Sequence, residues 1–92
     1  MAKDLIFRAH ALERMFERGV TIEEVRLVIE TGKTLENYPE DWPYPSELMI
    51  GWVNGRPLHV VAAEAEDSTI VITVYEPNPA LWEADFEKRK TQ

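Results

Sequence analysis

The 92 residues contain no cysteine. That absence excludes disulfide cross-links, thiolate metal sites and cysteine nucleophiles together, and it suits a reducing compartment. Histidine is almost as scarce, with two copies, His10 and His59. A metal site would therefore rest on carboxylates, and no carboxylate spacing suggests one, so neither a metal nor another cofactor is expected. No apolar run approaches the roughly 20 residues that span a bilayer. The opening "MAKDLIFRAH" lacks the long apolar core of a signal peptide. The expectation is a cytoplasmic protein without membrane contact. Positive charge is also in short supply, with 10 Lys/Arg against 17 Asp/Glu and a formal net charge of −7. Non-specific affinity for nucleic acid comes mainly from Lys/Arg on phosphates, so this acidity weighs against bulk nucleic-acid binding and leaves room only for a small basic site. There is no Gly-rich phosphate loop, and Ser46 and Ser68 lack a nucleophile context.

What remains is an ordinary globular composition, 45% apolar and 29% charged, sufficient for one domain over residues 1–92. "DLIF" reads as a short strand. Residues 9–18 read as a helix with Ala9, Leu12, Met15 and Phe16 on its apolar face and Gly19 as its stop. Thr21 and Glu24 have capping-box spacing and open a second helix bearing Ile22, Val25, Val28 and Ile29, ended by Gly32. From Lys33 the period changes to two. "KTLENY" reads as a strand, "PEDWPYPS" as a loop, and "ELMIGWV" and "RPLHVVAAEA" as a hairpin about Asn54-Gly55. "TIVITVY" is rich in β-branched residues and reads as a further strand. Asn78-Pro79 supplies an N-cap and first-turn proline for a last helix carrying Leu81, Trp82 and Phe86. The pattern predicts an α+β fold: two N-terminal helices packed on a three- to four-stranded antiparallel sheet, followed by a C-terminal helix.

Three groups of residues could carry chemistry. His10, Arg14 and Arg18 form one stripe of the first helix at i, i+4 and i+8. A histidine beside two guanidinium groups can hold a phosphate and move a proton, although a solvated helix face answered by Glu13 and Glu17 is the plainer reading. Arg56 and His59 share a strand but sit three residues apart, so strand alternation sends them to opposite faces. They converge only if a bulge near Pro57 resets the alternation. The plainer reading is a packed His59 and a solvated Arg56. Between the two, His59 is favoured as a functional group because its charge can change near neutral pH. Tyr75 closes the strongest strand beside Glu76 and could donate a proton, or could simply pack. The loop aromatics Tyr38, Trp42 and Tyr44 lie among Glu40, Asp41 and Glu47, which favours core capping or protein contact over base stacking.

The segments "HALERMFERGV", "YPEDWPYPS", "GRPLHVV" and "ITVYEPNPALWEADFEKRK" resemble, in order and spacing over nearly the whole chain, a small prokaryotic family, domain-of-unknown-function family 4258. His10, Arg14 and Arg18, the run Arg56 to His59, and Tyr75 with Pro77 match its pattern. That family is distantly similar to the RelE, ParE and BrnT superfamily of toxins. The resemblance implies a RelE-like fold, a type II toxin of a toxin–antitoxin pair, an antitoxin protein as partner and RNA as substrate. It further implies metal-independent RNA cleavage by the RNA's own 2′-hydroxyl. His59 or His10 would act as base or acid, Arg14, Arg18 and Arg56 would stabilise the phosphate, and Tyr75 would orient or donate. Such toxins are strongly basic, whereas this chain has a pI near 4.7. The alternative is a non-catalytic protein-interaction or ligand-binding module on the same fold, including a small-molecule pocket under the proline-rich loop. Oligomeric state is not legible.

Overall fold

The computed structural model describes residues 4–91. The elements run β1 (Asp4–Phe7), α1 (Ala9–Arg18), α2 (Ile22–Thr31), β2 (Lys33–Tyr38), β3 (Ser46–Val53), β4 (Arg56–Glu64) and β5 (Ser68–Tyr75). Local chemistry explains most boundaries. Gly19 adopts φ 66° and its N–H bonds back toward Met15 and Phe16, an ending that favours glycine. Thr21 and Glu24 close a full capping box, with Glu24 N donating to Thr21 Oγ1 at 3.1 Å and Thr21 N donating to Glu24 Oε1 at 2.9 Å. Asn54 and Gly55 both have positive φ, 52° and 76°, as the two-residue turn between β3 and β4 requires.

The five strands form one sheet in the order β1-β5-β4-β3-β2. β1 pairs in parallel with β5, Phe7 opposite Val71, and every other pairing is antiparallel. The sheet is therefore larger than the three to four strands expected, and mixed instead of antiparallel. "DLIF" looks like an isolated edge piece in sequence, yet its backbone pairs with residues 68–71, some 64 positions onward. Both helices lie on one face. Their buried residues Ala11, Met15, Val25 and Val28, with Val20 between them, meet Met49, Val53, Leu58, Val60, Ala62, Val71 and Val74. α2 approaches β3 closely: a methyl group on Gly32 would collide with the carbonyls of Val28 and Ile50, and one on Gly51 would press on Val28. The buried face of α1 differs from the expected stripe. Ala11 and Met15 face the sheet, while Leu12 is 47% and Phe16 90% exposed.

The C-terminal helix is the second correction. Residues 76–91 contain no helix and form a strap across the sheet face opposite α1 and α2. Asn78 makes a single turn, its side chain accepting from Ala80 N and its carbonyl accepting from Leu81 N and Trp82 N. The chain then doubles back, with Lys90 N donating to the Leu81 carbonyl, Glu83 N to the Lys88 carbonyl, and Trp82 bridging Arg89. Phe86 turns the tip with φ 60°. This path buries Trp82 to 3% exposure and sets Phe86 against Trp52. Burial of one tryptophan outweighs the weak local preference for helix.

Candidate functional site

On β4, Leu58 and Val60 belong to the helix-side core, so alternation turns His59 to the opposite face. The register from Ser46↔Ala63 to Val53↔Arg56 is unbroken, so no bulge occurs at Pro57. The bulge lies further along, between Val61 and Ala62, where β5 carries one extra residue. His59 is opposite Ile50 on one side and Tyr75 on the other.

His59 has no exposed surface. Its Nε2 lies 2.8 Å from the Phe86 carbonyl oxygen and its Nδ1 lies 3.1 Å from the Tyr75 hydroxyl. A carbonyl can only accept, so Nε2 carries the proton. In the neutral ring Nδ1 then accepts from the tyrosine O–H. Trp82 seals the ring in an edge contact, centroids 4.5 Å apart at 90°, and the Arg89 guanidinium lies 4.6 Å over the indole. Burial lowers the His59 pKa from its ordinary value, against a smaller opposing pull from the Phe86 carbonyl, with Arg89 also lowering it and Glu36 raising it. Burial likewise raises the Tyr75 pKa. The same face holds Tyr38, whose hydroxyl donates to Glu36 at 2.7 Å and whose pKa is pushed up to about 12 by burial and that carboxylate. Arg89 also reaches Glu36 at 3.8 Å, and Glu87 pairs with Lys33 at 2.6 Å. These contacts dock the strap. Among the described residues, no buried side-chain polar atom lacks a partner.

Arg56 is on the helix side. Its guanidinium donates to the Arg18 carbonyl at 3.2 Å and lies 3.6 Å from both Glu24 and Glu76. It thus ties the end of α1, the start of α2 and the residue after β5 together. His10, Arg14 and Arg18 are exposed on α1, and Arg14 meets Glu17 at 3.7 Å. The six candidates fall into three places: His59 and Tyr75 under the strap, Arg56 at the helix–sheet junction, and the α1 stripe in solvent. The structure brings His59 and Tyr75 together and does not bring either to the arginines that were to hold a phosphate. Trp82, Phe86, Arg89 and Glu36 complete the His59 environment. Periodicity could not reveal them, because Phe86 lies 27 positions beyond His59. Among the described residues no group of three His, Asp or Glu is placed to hold a metal ion, and no helix is long and apolar enough to cross a membrane.

These features define a small two-layer α+β domain in which the buried histidine serves as a packing and hydrogen-bonding centre. The model of one family, a domain of unknown function (DUF4258), matches residues 7–76, and the chain belongs to that family. The match ends at Glu76, so the strap that covers His59 lies beyond it. No curated protein and no solved structure matches the chain.

Proposed function

We propose that this chain is a non-catalytic protein-interaction domain, the folded member of a two-protein pair of the toxin–antitoxin kind, working in the cytoplasm. The observation that carries the non-catalytic reading is the state of His59. A proton-transfer group must come within hydrogen-bond reach of its substrate, and His59 has no exposed surface and no free ring nitrogen. Arg56 is similarly occupied, by a carbonyl and two carboxylates. Two further features support a protein partner. Leu12 and Phe16 stand one turn apart on α1 and are 47% and 90% exposed, a pair of apolar anchors open to solvent. The resemblance to the RelE, ParE and BrnT superfamily supports a small antitoxin-like protein as the occupant, and the net charge of −7 favours a basic one. The test is inducible expression of the wild type, His10→Ala and Arg14→Ala at verified protein levels, scoring growth and RNA integrity. Intact RNA and unimpaired growth in all three are expected.

A second reading, the metal-independent endoribonuclease of such a pair, has one observation in its favour: His10, Arg14 and Arg18 are all accessible along one stripe. RNA cleavage by the wild type that disappears in His10→Ala or Arg14→Ala would establish it and overturn the non-catalytic proposal.

A further inference from the structure

The loop between β2 and β3 folds over the strap-side face of the sheet at the β1 end and borders an open-sided cavity of about 270 Å³. Ala63 of β4 and Ile70 and Ile72 of β5 line it, with Trp42 and Tyr44 from the loop. Ile72 is the residue inserted by the bulge, since Val61 pairs with Thr73 and Ala62 with Val71. The irregularity in β5 thus falls where the cavity is built. Two charged residues of opposite sign, Arg8 and Asp41, line the same space. Each is fixed by its backbone. Arg8 N donates to the Val71 carbonyl at 3.0 Å, and Asp41 N donates to the Tyr38 carbonyl at 3.2 Å. Asp41 Oδ2 also accepts from the Ser46 hydroxyl at 2.5 Å. No ion pair joins Arg8 to Asp41, and neither has another ionic partner among the described residues. Trp42 leaves 90% of its surface in solvent beside them.

From this arrangement we infer that the cavity binds a free α-amino acid with an apolar side chain. A guanidinium is the natural partner of a carboxylate and a carboxylate that of an ammonium. A simple anion would meet Asp41 without compensation, and a simple cation would meet Arg8. A zwitterion satisfies both, with its side chain over Ile70 and Ile72 and beside Trp42 and Tyr44. The volume lies just under the roughly 300–1,000 Å³ of pockets for drug-sized ligands, which suits a smaller molecule.

The experiment titrates the full chain with L-leucine and L-phenylalanine, read by calorimetry and by melting temperature. N-acetyl-leucine lacks the ammonium and leucinamide lacks the carboxylate. Saturable binding of at least one free amino acid is expected, with a rise in Tm on the order of 5 °C at ten times Kd. Binding should weaken at least tenfold for both blocked compounds, and equally in Arg8→Gln and Asp41→Asn. Both substitutions leave the fold intact, because Arg8 is exposed and asparagine still accepts from Ser46. Arg14→Gln, on the far side of the sheet, should bind as the wild type does. No saturable binding of either amino acid up to 10 mM, on the order of the weakest useful affinity, would overturn the inference. So would equal binding of the blocked compounds, or affinity unchanged in Arg8→Gln and Asp41→Asn. Because RNA integrity does not enter this readout, its failure is separable from failure of the partner-binding proposal.

Discussion

Removal of the Trp82 indole tests whether the strap is an integral part of the fold. Trp82 is 3% exposed, meets His59 in a perpendicular contact and carries Arg89 over its indole. An indole buries about 150–250 Å², which at about 25 cal/mol per Å² corresponds to roughly 4–6 kcal/mol as an upper bound. Measured Trp→Ala losses in cores run at about 3–5 kcal/mol. The strap can also peel away in part, which limits the loss to its docking energy, so Trp82→Ala should cost about 3 kcal/mol. That is a large share of the 5–15 kcal/mol typical of a domain, and it should lower Tm by roughly 15 °C. Urea unfolding with linear extrapolation measures it, with Leu81→Ala as the internal comparison. Leu81 precedes Trp82 but is 51% exposed, so its truncation should fall within about 0.5 kcal/mol of wild type. Equal losses, or a Trp82→Ala loss below about 1 kcal/mol, would refute the strap as described.

Other consequences follow from the same contacts. The folded His59 pKa lies below its ordinary value of 6.5, so the unfolded chain takes up the proton first. This stability is complete above pH 6.5 and is lost as pH falls toward the folded pKa, with a slope of at most about 1.4 kcal/mol per unit. Urea midpoints between pH 5 and 8 should show the decline, and His59→Gln should flatten it. Arg56→Ala removes the hydrogen bond to the Arg18 carbonyl and takes this cation from Glu24 and Glu76. A loss of about 0.5–1.5 kcal/mol is expected in the same assay. Gly32→Ala forces a methyl group into the carbonyls of Val28 and Ile50, so α2 must lift from β3. Its cost should exceed about 2 kcal/mol, and circular dichroism melting would show it.

Short-range signals carried much of the fold. The Thr21/Glu24 capping box, the Asn54-Gly55 turn and the β-branched run of β5 are each decided by neighbours within a few residues, and each forms where its pattern places it. Strand alternation also separated Arg56 from His59 correctly, because the register there is regular. What failed depended on partners distant in sequence. β1 completes the sheet by pairing with residues 68–71, which its own four residues cannot announce. Asn78-Pro79 carries a true turn signal, but the burial of Trp82 against His59 redirects the chain after one turn. On α1, period alone could not choose between neighbouring stripes. The small Ala11 faces the sheet, and Leu12 and Phe16 are left outside. For the candidate site, residue types were legible while their neighbours were not. His59 and Tyr75 do meet, but under a strap read as a helix, and the α1 cations lie on the other side of the sheet.

If His59 is a neutral, sealed hydrogen-bonding centre, long-range ¹H–¹⁵N NMR of the imidazoles at pH 7 will show it. The expected result is a neutral His59 ring with the proton on Nε2, and an Nε2–H slow to exchange with water because the Phe86 carbonyl and Trp82 cover it. A charged ring at pH 7, the opposite tautomer, or an Nε2–H that exchanges at the rate of an exposed imidazole would contradict it.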